Sequence, residues 1–279
     1  MEIAMSVAGP PQGGRPLGGE RHEAPLGGER ASAPVLRVHS LAKAFDGVDA
    51  VRDVSFAVAA GELVALIGPN GAGKTTCFNL VNGQLRPDAG TVTLQGSRID
   101  GLPPRAISRM GVGRTFQVAA LFASMTVREN VQLALLARTG GHHAIGARAT
   151  DCLRGDADAL LERVAMTEFA GQGCATLAYG NAKRVELALA LAAAPKLLLM
   201  DEPTAGMSPR SRGRLMQLAA DLAREQQIAV LFTEHDMDVV FGHADRVIVL
   251  DRGRVIADGP PVAIRADPRV QQVYLGEHD

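Results

Sequence analysis

The sequence has no tryptophan, two tyrosines and eight phenylalanines. With so few aromatic faces, single-stranded nucleic acid would find little to stack on. Neither sign of charge is in excess: 29 lysines and arginines stand against 30 aspartates and glutamates, for a formal net charge of −1. The global attraction toward a phosphate backbone is missing, so no nucleic-acid partner is expected. Lysine is scarce, limited to Lys43, Lys74, Lys183 and Lys196, and none stands in the Asn-Lys-x-Asp string that reads guanine. No run of 18 or more apolar residues occurs, and the most apolar region, 185–200, is interrupted by Glu186, Pro195 and Lys196. No membrane-spanning helix is expected. No basic start leads into an apolar run, so no secretory signal is expected either. The cysteines are three, an odd number without metal-ligand spacing. Cys77, Cys152 and Cys174 are expected to be reduced, buried thiols of a cytosolic protein. The pair His142 and His143 lies in a Gly-rich stretch and reads as a solvated loop.

What is present is an ordinary globular composition, 47% apolar over 279 residues, enough for one large domain or two modest ones at roughly 150 residues each. Residues 1–33 repeat Gly, Pro, Arg and Glu, and Leu-Gly-Gly-Glu-Arg occurs twice. With little to bury, this segment is expected to be a disordered tail. A single domain is expected over 34–279. Short strands are read at 35–39, 54–58 and 91–94. Continuous apolar strands are read at 63–67, 196–200 and 228–233. Helical segments are expected over 74–82, 183–194 and 210–226, the last opened by Ser208 and Pro209. Residues 247–250 and 254–257 flank a hairpin turn. From about 118 to 177 the apolar spacing becomes helical, which predicts a helical insert in an α/β domain. Strands alternating with helices predict a mainly parallel sheet covered on both faces.

Two motifs carry chemistry. Gly68, Pro69, Asn70, Gly71, Ala72, Gly73, Lys74, Thr75 and Thr76 fit the phosphate-loop pattern G-x-x-x-x-G-K-[ST], between a strand and a helix. Glycines let backbone N–H groups converge on phosphate oxygens, and the helix adds its positive end. Lys74 supplies a point charge for the β- and γ-phosphates, and the Thr75 hydroxyl is a magnesium ligand. The second motif is an apolar strand delivering Asp201 and Glu202 to its C-terminal end, where sites in open α/β sheets lie. Asp201 can hold magnesium directly or through water. Glu202 can take a proton from an attacking water.

Phosphate loop, Arg-Thr-Phe-Gln at 114–117, Leu-Ala-Tyr-Gly-Asn at 177–181, the Asp-Glu strand end running to Pro209, and Thr-Glu-His-Asp-Met at 233–237 follow in that order. In this, residues 35–275 resemble the ATP-binding-cassette (ABC) ATPases. The resemblance implies a RecA-like P-loop core, an antiparallel β subdomain near the N-terminus and an inserted helical subdomain, with ATP and Mg2+ bound. It implies that Phe45 stacks on adenine, where ordinary core packing is the competing role. It implies that Gln117 senses magnesium and the attacking water, that His235 contacts the γ-phosphate, and that 206–208 crosses a dimer interface with Ser208 in place of the usual Asp. Ala178, Tyr179 and Gly180 match the signature loop, which acts on nucleotide held by another subunit. Ala178 replaces a serine there and Asn181 a glutamine, and a slow or inactive ATPase is the alternative that these departures leave open.

The signature stretch, residues 111–131 and the C-terminal 270–277 resemble the ATPases of branched-chain amino acid importers. That branch implies a peripheral subunit at the cytoplasmic face of the plasma (inner) membrane, docked on integral permease subunits. A groove near Gln117 and residues 118–137 would receive a permease helix. A second ATPase subunit is implied, forming a heterodimer, with a homodimer as the alternative. A periplasmic or extracellular solute-binding protein would supply the cargo indirectly. The competing classes are the ATPase of an export or lipid-transport complex and a non-transport ABC ATPase.

Overall fold

The apolar strands of the sequence lie in one sheet, and their alternation explains why each is apolar throughout. In a computed structural model, which describes residues 33–115, 121–139 and 153–275, Leu63, Ala65 and Ile67 of strand β3 (Leu63–Ile67) enter one hydrophobic cluster. Val64 and Leu66 enter another. The same split runs through β7 (Leu197–Asp201), β8 (Ala229–Thr233) and β9 (Arg246–Asp251). A parallel strand buried on both faces has no polar side to show. The expected tail (all but Ala33), Gln117, the His142 and His143 pair and Cys152 lie outside the described residues.

The sheet has six strands in the order β10-β9-β3-β8-β7-β6, where β6 is Val112–Thr115 and β10 is Arg254–Gly259. All neighbours are parallel except β10, which pairs antiparallel with β9 as the expected hairpin. A second, antiparallel sheet has the order β2-β1-β4-β5, formed by β1 (Leu36–Phe45), β2 (Val48–Val58), β4 (Ala89–Leu94) and β5 (Ser97–Arg98). Its apolar side and helix α1 (Lys74–Val81) cover one face of the six-stranded sheet. The short α2 (Pro104–Arg109) leads into β6.

Helices cover the other face. The expected insert contains α3 (Val127–Thr139), α4 (Arg154–Arg163) and two 3-10 turns, Thr167–Phe169 and Cys174–Thr176. Helix α5 (Tyr179–Ala192) follows, beginning at Tyr179 and not at 183 as its apolar spacing suggested. Ala178 takes the extended cap conformation, so the stretch expected to be a loop is the helix's first turn. Helices α6 (Pro209–Gln226), α7 (Met237–His243), α8 (Pro261–Ala266) and α9 (Pro268–Leu275) complete the described chain. Cys77 and Cys174 are free and buried, as expected, and burial pushes the Cys77 thiol up to about 12.

Candidate active site

Because β3, β6, β7 and β8 run parallel, their C-terminal ends open on one edge of the sheet. The phosphate-loop motif follows β3 there. Gly68 is buried, and a side chain on it would place Cβ 2.1 Å from the Leu250 carbonyl oxygen. Gly73, at φ +103, would place one 2.4 Å from the Ala50 carbonyl oxygen. Only glycine lets the backbone pass this close. Lys74, 8% exposed, folds over the loop and donates to the carbonyls of Gly68 (2.6 Å) and Pro69 (3.0 Å). Asn70, Gly71 and Thr75 are exposed, Thr76 is half-buried and Ala72 is buried. Helix α1 has no acidic side chain in its first turn, so its positive end is uncompensated for an anion.

The acidic pair ends β7 beside this loop's strand neighbour. Asp201 Oδ1 accepts from the Thr233 hydroxyl at 2.8 Å. Its Oδ2 accepts from Arg114 Nη2 at 3.1 Å. Glu202 turns away from the strand at φ +46, and its amide donates to the Thr233 carbonyl at 3.1 Å. The kink brings Glu202 Oε1 to 2.9 Å from His235 Nε2. Glu202, read from the acidic strand end, and His235, expected from the family resemblance, therefore meet. Sequence reasoning had assigned no role to Thr233, or to Glu234, which is 4% exposed. Glu234 accepts from the Thr204 amide (2.9 Å) and hydroxyl (2.6 Å) and, through its other oxygen, from the His235 amide (3.2 Å). It fixes the loops after β7 and β8 to each other. Its only signal was an acid next to the histidine. Asp236 caps α7 and pairs with Arg212. Burial works against its charge, but hydrogen bonds from the Val239 amide, Arg212 and the Asp238 amide outweigh that and hold its carboxyl below the usual range.

Phe45 is 42% exposed at the end of β1, with Lys43 Nζ 5.5 Å from its ring centre. It is not a core residue, which removes the competing role. Ala178, Tyr179 and Gly180 form the start of α5. Tyr179 is 46% exposed, with Gly206 on its ring edge and Lys183 Nζ 5.7 Å from its centre. Ser208 caps α6 by backbone position only, its hydroxyl donating to Ser211 Oγ at 3.0 Å. Among the described residues, no group of three or more His, Cys, Asp or Glu could hold a metal ion. The Thr75 hydroxyl and Asp201 carboxylate are hard oxygen donors of the kind Mg2+ takes alongside substrate phosphates, and they fit it.

The chain is similar to known proteins in sequence and fold. A family model described as ABC transporter matches residues 51–205, and one described as branched-chain amino acid ATP-binding cassette transporter matches 254–279. The high-affinity branched-chain amino acid transport ATP-binding protein LivG of Salmonella typhimurium is 41% identical over 250 residues, 87% of this chain and 98% of the relative. Among solved structures, the ADP conformation of MJ1267, an ATP-binding cassette of an ABC transporter, superposes with a TM-score of 0.77 at 28% identity. The match covers 88% of this chain and all of that one (100%). The post-hydrolysis dimer of the ATP-binding cassette MJ0796, bound to ADP and Pi, gives 0.67 at 26% identity over 81% and 98%. With more than half of its length inside the family model and a near-complete match to LivG, this chain belongs to the ABC transporter family, as an ATP-binding cassette.

Proposed function

We propose that this chain is the ATP-hydrolysing subunit of an importer for branched-chain or closely related amino acids. The observation that carries the reading is the near-full-length identity to LivG, together with the family match at the C-terminal residues 254–279. Lys74 and the amides of 68–76 would bind the ATP phosphates, and Phe45 would stack on adenine. Mg2+ when bound would be held by Thr75 and Asp201 and, as the resemblance implies, by Gln117, and supplies positive charge to the β- and γ-phosphates. Glu202 would accept a proton from the attacking water. His235, whose Nε2 lies 2.9 Å from Glu202, would orient that carboxylate and meet the γ-phosphate.

Ala178, Tyr179 and Gly180 would close on ATP held by a second ATPase subunit in a head-to-tail pair, preferably a heterodimer. The MJ0796 cassette, itself a dimer with ADP and Pi, supports pairing of this kind. Among the described residues no helix is long and apolar enough to cross a membrane, so transport needs integral permease subunits. Their docking helix would enter near residues 118–137, where Ala134 and Ala137 line a cavity of about 470 Å³ together with Arg105, Arg109 and Leu189. The subunit would sit at the cytoplasmic face of the inner membrane, with a solute-binding protein on the far side. The test is uptake in source cells carrying Lys74→Ala. Uptake of labelled leucine, isoleucine and valine falls to background while sugar uptake is unchanged. Undiminished uptake of all three contradicts the reading.

A further inference from the structure

We infer that Arg114 is a positioning residue that fixes the Asp201 carboxylate relative to the helix carrying Lys74 and Thr75. The inference rests on the ATPase reading above and deepens it. Arg114 lies on β6 and reaches three partners at once. Nη2 donates to Asp201 Oδ2 at 3.1 Å. Nη1 donates to Asn79 Oδ1 and Gln84 Oε1, both at 3.0 Å. Asn79 and Thr75 are four residues apart on α1, so they share one helix face. The guanidinium therefore ties the strand-end carboxylate to the face of α1 that presents the Thr75 hydroxyl.

Both side chains of the Arg114–Asp201 pair are 15% exposed. A charge pair so far removed from water holds a defined geometry, and losing either member leaves a costly charge behind. With Thr233 on Oδ1 and Arg114 on Oδ2, each carboxylate oxygen has one donor among the described residues. Each keeps lone-pair capacity for a metal-bound water or a cation. Only a planar fork can bridge two neutral acceptors and a carboxylate in fixed directions; an ammonium is a point charge on a flexible stem.

Charge and position make opposite demands here, which gives the test its sign. A guanidinium on Asp201 repels a divalent cation, so if charge alone mattered, removing Arg114 would tighten metal binding. If position matters, loosening the carboxylate weakens it. Three full-length variants separate the two: Arg114→Lys keeps the charge, Arg114→Met removes it, and the double variant Asn79→Ala, Gln84→Ala keeps Arg114 but frees its other arm. Mn2+ binding to the ADP complex is read by electron paramagnetic resonance, and ADP binding in EDTA by calorimetry. Arg114→Lys and the double variant are expected to weaken Mn2+ binding about 10-fold while leaving ADP affinity in EDTA unchanged within twofold. Mn2+ binding unchanged or tighter in both variants overturns the inference, as does an equal loss of ADP affinity in EDTA, which assigns Arg114 to the fold of α1. A wild-type chain that binds no ADP overturns the ATPase reading itself.

Discussion

Glu202 occupies a left-handed backbone conformation at φ +46, which costs a non-glycine residue about 1–2 kcal/mol. Its amide is bonded to the Thr233 carbonyl, so the kink is held by a hydrogen bond to the neighbouring strand. The kink separates two adjacent carboxylates into two tasks: Asp201 stays with Thr233 and Arg114, and Glu202 faces His235. Proton transfer by a placed carboxylate is worth about 10²–10⁴ in rate. Glu202→Gln is therefore expected to bind ATP normally and to hydrolyse it at least about 100-fold more slowly. Normal turnover in a steady-state phosphate-release assay would remove Glu202 from the general-base role. Sequence alone reached Glu202 and His235 but not their contact. It could not reach the Arg114–Asp201 pair, because those residues stand 87 positions apart and nothing in an arginine's local surroundings points to a distant carboxylate.

At the scale of elements, the strands that were legible are those buried on both faces, since a continuous apolar run has one simple explanation. Strand β6 was missed. It has four residues, among them Gly113 and Arg114, and borders the sheet with a partner on one side only. Strand β1 extends to Phe45, beyond the expected 39, because bulges after Val38 and the left-handed Ser40 break its alternation. The start of α5 was misplaced because Gly180 in its first turn is a poor helix former and the cap, Ala178, offers no side-chain oxygen to mark the start. The phosphate loop, by contrast, is dictated by backbone contact. Gly73 combines φ +103 with a Cβ position 2.4 Å from the Ala50 carbonyl oxygen, so Gly73→Ala must move β2 or the loop. Strained backbone costs about 1–3 kcal/mol before any clash is counted. Gly73→Ala is expected to lose at least about 2 kcal/mol in urea unfolding and to lose ATP binding; a variant as stable as the parent would show that the loop accommodates a side chain.

At the scale of the whole molecule, one chain carries one phosphate loop and one signature turn. A Cβ on Gly180 would lie 3.5 Å from Met207 and one on Gly206 3.6 Å from the Tyr179 ring, so the start of α5 packs beside the chain's own 206–207 loop while Tyr179 stays 46% exposed. On the proposed reading, two composite sites would need two chains, and transport would need a membrane partner, since no described helix is long and apolar enough to cross a membrane. The measurement that tests this most directly is recovery of tagged Glu202→Gln from solubilised membranes of the source cell, with ATP added to hold the pair closed. The account predicts two integral permease chains and a second, different ATPase in the recovered complex. Recovery from the soluble fraction alone, or with lipid-export proteins in place of amino acid permeases, would contradict it.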